Sequence, residues 1–208
     1  MSFVPIEKVR SEHLVKKSEP MILKSFSSYL PIEKIVQKTS LHSPVEVKLV
    51  GLLQNYVYVI KQKEKTDLFD AFTGEQISPI SKDLAIEIAI SHFMETAEIK
   101  NVGLVSTPIT EYKGKLPVWK IDFNNDENTT FYISSESGEL LGRRSSLWRI
   151  YDFMWMFHIM DYKERENFSH WWLILSAFLA VFMSVSGVWL IFYSFRKRDF
   201  KFFRSRLR

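Results

Sequence analysis

Between residues 31 and 145 the apolar positions pass from a helical period to a period of two, and they do so twice. The first pass opens with PIEKIVQKT, a short helical stretch, followed by VEVKLVGLL and NYVYVIKQ as strands and then TDLFDAFTGEQI. The second opens with a clearer helix, SKDLAIEIAISHFME, followed by VGLVSTPI, LPVWKIDF and TTFYISSESGELL. In that helix Leu84, Ile88 and Phe93, joined by Ile86, Ala89 and Ile90, predict an apolar stripe broad enough to lie on a sheet. In LPVWKIDF, Trp119, Ile121 and Phe123 alternate with Val118, Lys120 and Asp122, so the first set is expected to face the core. Asn124, Asn125 and Asp126 predict a turn that folds this strand and the next into an antiparallel hairpin. Each pass ends on a similar phrase, Phe72-Thr73-Gly74-Glu75 and Ser135-Glu136-Ser137-Gly138-Glu139, where the glycine is expected to take a positive φ in a tight turn. The fold class predicted is α+β, two helix-plus-antiparallel-sheet units followed by a single transmembrane α-helix.

The transmembrane prediction rests on WWLILSAFLAVFMSVSGVWLIFYSF, 25 residues without a charge. As a helix it reaches about 37 Å, enough to cross a hydrocarbon layer with some tilt. Trp171, Trp172, Trp189 and Tyr193 sit toward its ends, where amphipathic rings favour the headgroup layer. Ser176, Ala180, Ser184 and Gly187 recur along one face and predict a packing surface for a membrane protein partner or a second copy of the chain.

Charge fixes an orientation. The last 13 residues, RKRDFKFFRSRLR, carry a net +6 against +4 for the whole chain, so residues 1 to 195 hold −2. The basic balance therefore belongs to the tail and does not argue for a nucleic-acid partner. By the positive-inside rule the tail is cytoplasmic and the folded domain lies outside, which in a bacterial inner membrane means the periplasm. Residues 1 to 30 contain no apolar signal-peptide core, so export is expected either by N-out insertion of the anchor or through a segment upstream of Met1. With no cysteine in the chain, disulfides, thiolate metal sites and a cysteine nucleophile are excluded.

The second pass, with its helix, LPVWKIDF, polar turn and FYISSESGELLGR, resembles the PepSY domain, whose sheet ends in an aromatic-rich hairpin closed by a Ser/Thr-Gly-Glu turn. WRIYDFMWMFHIMDYKERENFSHWWL and the following SGVWLIF are similar to the C-terminal part of PepSY-associated membrane proteins. The opening IEKVRSEHLV is similar to the linker that follows an N-terminal membrane helix in such relatives, a helix absent from this sequence. The resemblance covers roughly residues 5 to 195 and implies an N-terminal linker (1–30), two PepSY-like repeats (31–79 and 80–146), a juxtamembrane helix (147–169), a transmembrane helix (170–195) and a basic cytoplasmic tail (196–208).

The stretch from Leu147 to Met160 is apolar but only about 21 Å long as a helix, too short to span. With Trp148, Arg149, Tyr151, Asp152 and Trp155 it suits a helix in the membrane interface or a stalk helix packed on the sheet, and both readings stay open. The resemblance implies a chemistry for His158, which matches the histidine of the juxtamembrane motif in a family with members in siderophore-iron reduction and haem binding. On that reading His158 is a ligand of haem b. Bis-histidine ligation needs imidazoles from separate helices, so a dimer or partner would have to complete the site. Otherwise His158 is an interfacial residue and His170 a polar cap.

His13, His42 and His92 lack metal-site spacing. Glu136, Glu139, Asp126 and Glu127 are expected as solvated turn charge. No nucleophile elbow, phosphate loop or dinucleotide fingerprint is present. The expected function is non-enzymatic and without a resident cofactor: a membrane-tethered PepSY binding module offering an extracytoplasmic domain to a protein or peptide partner. The resemblance to PepSY domains adds one implication, since that family includes segments proposed to restrain peptidases. The competing expectation is an electron-transfer subunit of periplasmic ferric-siderophore reduction in iron uptake.

Overall fold

Seven strands make two antiparallel sheets in the computed structural model, which describes residues 4–16, 29–38, 46–62, 65–162 and 171–194. The first sheet, in order β1-β2-β3, comprises β1 (Glu46–Leu52), β2 (Asn55–Lys61) and β3 (Thr66–Asp70). The second, in order β4-β5-β6-β7, comprises β4 (Glu98–Val105), β5 (Val118–Asn124), β6 (Thr130–Ser134) and β7 (Leu140–Arg144). The helices are α1 (Ile6–Val9), α2 (Ile32–Lys38), α3 (Lys82–His92), α4 (Ser146–Ile159) and α5 (Trp171–Ser194). The chain divides into two units, Met1–Tyr151 and Asp152–Arg208, and α4 runs across the boundary.

In the first unit α3 begins where Ser81 Oγ accepts a hydrogen bond from the Leu84 N–H at 3.2 Å, with Asp83 in the first turn, where a negative charge complements the helix dipole. It ends at Phe93, whose backbone is extended. Val57, Val59 and Leu68 from one face of the first sheet, Ala85, Ile88 and Ala89 from α3, and Ile121, Phe123, Phe131 and Ile133 from the second sheet form one core. Phe93 stacks on Phe123 at 4.3 Å, and Phe131 meets both rings edge-on. The opposite face of the first sheet, with Ile60 and Phe69, packs on Ile35 of α2.

The predicted hairpin is present, with Trp119 opposite Ile133 and Ile121 opposite Phe131. Ile121 and Phe123 are fully buried, whereas Trp119 is half-buried and its Nε1 donates to the Ile80 carbonyl at 3.1 Å. Several positions differ from the pattern. Val118, on the polar side of the alternation, is buried, because Tyr112 and Tyr132 stack at 4.8 Å and form a small second core with it. Ile90 is exposed and Ile86 only half-buried, so the stripe of α3 is narrower than its sequence and centres on Ala85, Ile88, Ala89 and Phe93. Residues 4–16, expected within a linker, instead belong to the domain. Leu14 joins the main core, Val15 bridges Phe93, and backbone bonds run from Lys16 N to His92 O and from Met94 N to Leu14 O.

In the second unit α5 has 24 residues, about 36 Å of helix, and none of its side chains is buried. It is one helix long and apolar enough to cross a membrane. Past the end of α4, Met160 takes φ 56°, and Ser176 Oγ of α5 donates to Met160 Sδ at 3.5 Å. The basic tail expected at 196–208 and the charged stretch 163–170 lie outside the described residues.

Candidate functional site

A groove of about 570 Å³ opens in the first unit where the core-facing side of the first sheet runs out from under the second. Lys48, Val50 and Leu52 of β1 line one wall, and Pro117, Leu140 and Leu141 belong to the other. β1 is an edge strand, and Val50, which shares the face of Val57 and Val59, is exposed there instead of covered. Val50, Leu52, Pro117, Leu140 and Leu141 give the groove its apolar lining. Charged side chains line it as well: Lys48 and Lys61, which bond Glu46 at 2.7 and 3.5 Å, with Lys115, Glu136 and Glu139. His92 also lines the groove, and burial pushes its pKa below the usual histidine value, which favours the neutral imidazole. The arrangement suits capture of an extended segment, whose backbone would pair along β1 while alternate side chains enter the groove.

The turn at the rim of the groove has a close counterpart in the first sheet. In the second sheet Ser134 Oγ accepts from the N–H groups of Glu136 and Ser137, and Gly138 N donates to Ser134 O. In the first, Asp70 Oδ1 accepts from Phe72 and Thr73, and Gly74 N donates to Asp70 O. Gly138 and Gly74 take φ of +67° and +68°, as their phrases predict. A Cβ on Gly138 would come within 3.3 Å of Ile88 Cδ1 and 3.4 Å of Leu52 Cδ1, so this glycine also permits the close packing behind the groove.

A charged network lies on the other face of the second sheet. Arg149, in the first turns of α4, bonds Glu111 with two prongs, Nε to Oε1 at 2.9 Å and Nη2 to Oε2 at 3.2 Å. It also reaches Thr130 Oγ1 at 2.9 Å and the Asn128 carbonyl at 2.8 Å. Thr130 Oγ1 donates a hydrogen bond to Asp122, Tyr132 donates to Glu111, and Arg144 Nε donates to the Glu111 carbonyl while its guanidinium lies 4.1 Å over Trp148. Burial alone would raise the Glu111 pKa. The hydrogen bonds and charge of Arg149 outweigh burial and, with Lys120 and Tyr132, hold it below the ordinary value. Tyr132 is raised, first by burial and then by the Glu111 charge.

The residues singled out in the sequence are dispersed. His158 is exposed on α4 beside Trp155, whose ring centre is 5.9 Å away. Its proposed counterpart His170 and the scattered His42 lie outside the described residues. His13 is engaged with Glu127 at 2.9 Å, so Glu127 is a partnered turn residue and not simply solvated charge; its carbonyl also receives Ser146. None of the three cavities described is lined by His158, and no cluster of three or more metal-ligating side chains occurs among the described residues. A haem there would take its second imidazole from outside the described residues. On α5, Ala180 and Ser184 are exposed, Ser176 is half-covered and bonded to Met160, and a Cβ on Gly187 would meet nothing within 4 Å. The groove and Glu111 were not legible in the sequence, because each depends on segments brought together only by folding.

No curated protein and no solved structure matches the chain. A family model does match: PepSY, described as peptidase propeptide and YPEB domain, over residues 79–144. The match runs from the approach to α3 to the end of β7, against 80–146 expected from the sequence, and does not extend over 31–79. The helix, the aromatic hairpin and the glycine turn at the groove are thus parts of one family domain: residues 79–144 of this chain are a PepSY domain, followed by a C-terminal helix apolar enough to cross a membrane.

Proposed function

We propose that this chain is a membrane-anchored PepSY binding module, in which an extracytoplasmic domain offers the groove beside β1 to an extended segment of a protein or peptide partner. The observation that carries this reading is the groove itself, lined by apolar and charged side chains and bordered by an edge strand. The family description names propeptides, segments that bind a peptidase and do not perform its chemistry, which favours binding over catalysis here. The matched turns at Gly74 and Gly138 support reading residues 31–79 as a second, diverged PepSY-like repeat. The length of α5 and the basic residues after it support a single-pass anchor in a bacterial inner membrane, domain periplasmic and C-terminus cytoplasmic. Small residues at Ser176, Ala180, Ser184 and Gly187 support a helix partner or homodimer within the bilayer.

Photocrosslinking tests the groove. A benzophenone amino acid at Val50 in cells is expected to give a discrete adduct with a partner polypeptide, and the same probe at Ile90, exposed on α3, none. Identical patterns from both positions, or no adduct from Val50, would remove the groove from the function. Alkaline phosphatase fused at the C-terminus is expected to be inactive, and strong activity there would reverse the orientation.

A further inference from the structure

Helix α4 has two unlike faces. Arg149 is held by Glu111, and Met156 and Ile159 are buried. The other side carries Ile150, Phe153, Met154 and Phe157, spaced i, i+3, i+4 and i+7. These four are 59, 49, 61 and 55 % exposed, a contiguous apolar stripe at helical period.

The second unit itself says what covers this stripe. Met160, the residue that closes α4, lies against Ser176, which is five residues inside α5. At 1.5 Å per residue that contact is about 7 Å along α5 from Trp171, the depth of a headgroup and acyl-chain boundary when Trp171 and Trp172 mark the water side. The end of α4 and the aqueous end of α5 are therefore at one level. Trp155 and Tyr162 are ring types that favour that level, as are Trp171 and Trp172, which stack on each other at 3.7 Å.

We propose that α4 is an interfacial helix whose Ile150, Phe153, Met154 and Phe157 stripe is immersed in the outer boundary of the same bilayer that α5 crosses. The occupant of the stripe is lipid. Its apolar face lies in lipid, while Arg149 in its first turn is held by Glu111. The inference rests on α5 being the anchor.

The chain has no cysteine, so single-cysteine spin labels report each position separately. Met154→Cys and Phe157→Cys sample the stripe, Asp126→Cys an exposed hairpin turn, and Phe182→Cys the middle of α5. Each full-length variant is reconstituted in phosphatidylethanolamine–phosphatidylglycerol vesicles, and collision with oxygen, which enters lipid, is compared with collision with a nickel chelate, which stays in water. Labels at 154 and 157 are expected to be several-fold less accessible to nickel than the label at 126, with oxygen accessibility approaching that at 182. Nickel accessibility at 154 and 157 equal to that at 126, with 182 protected, would overturn the interfacial placement and leave the anchor standing. Protection from both reagents that weakens as protein is diluted in lipid would overturn it in favour of a second copy. Nickel access at 182 would overturn the anchor and this inference together.

Discussion

Arg149 and Glu111, 38 residues apart, meet in a two-pronged ion pair at 2.9 and 3.2 Å that fastens the start of α4 to the back of the PepSY sheet. Both side chains are about 31 % exposed, so the pair is partly shielded from water without being sealed from it. Its geometry is the stronger kind, because a planar guanidinium matches a carboxylate atom for atom. Two of the three remaining guanidinium N–H groups are taken by Thr130 and the Asn128 carbonyl, which leaves Arg149 little freedom.

Removing that guanidinium strands Glu111 beside Tyr132 with its main partner gone. Arg149→Met is expected to destabilise the domain by about 1–3 kcal/mol, the range for breaking a charge-assisted bond at a half-buried site. Glu111→Gln, which keeps one acceptor oxygen, is expected to cost less. Thermal melting of the detergent-solubilised full chain, followed by near-ultraviolet circular dichroism, measures both. A wild-type melt for Arg149→Met would make the pair incidental to stability.

The same pair predicts a pH dependence. The folded-state pKa of Glu111 lies below its ordinary 4.5, so its ionised form favours the folded chain. That contribution is fully present above the ordinary value and is lost as pH falls through the lowered one. Melting temperatures of wild type and Glu111→Gln should therefore differ most near neutrality and converge in acid. A difference that stays constant down to strongly acidic pH would mean the carboxylate charge is not what Glu111 contributes.

Gly138 and Gly103 make an internal contrast. Gly138 has a positive φ and core side chains where a Cβ would stand, whereas Gly103 has neither constraint. Gly138→Ala should cost about 1–2 kcal/mol from the left-handed backbone alone, with more from contact with Ile88 and Leu52. Gly103→Ala should leave the melt near wild type. Urea unfolding of the two variants side by side decides it, and equal midpoints would show that the turn relaxes.

For α5, Gly187→Ile and Ala180→Ile are expected to weaken helix association in a bacterial two-hybrid assay, while Phe178→Ile is not. Bulk on the small-residue face separates backbones that would otherwise approach, whereas Phe178 lies on another side of the helix. Three equal signals would leave the stripe without a partner.

The sequence by itself determined whatever depends on a single stretch of chain. An uncharged run of sufficient length predicts α5, because crossing hydrocarbon is a matter of local length and polarity. The period of two in LPVWKIDF placed Ile121 and Phe123 inward, and two glycines flagged left-handed turns, because side-chain alternation and φ are local properties. Where a neighbour distant in sequence decides, the same patterns fell short. Val118 is buried by Tyr112 and Tyr132, residues 4–16 pack on a core that begins far along the chain, and Ile90 is left uncovered at the edge of α3. Glu111 gave no signal in its polar loop, since its role comes from an arginine 38 residues away. The groove beside β1 likewise exists only because two sheets share one helix without covering each other fully. Periodicity records which side of an element is apolar, but burial depends on what the rest of the chain lays against that side, and only the tertiary structure decides that.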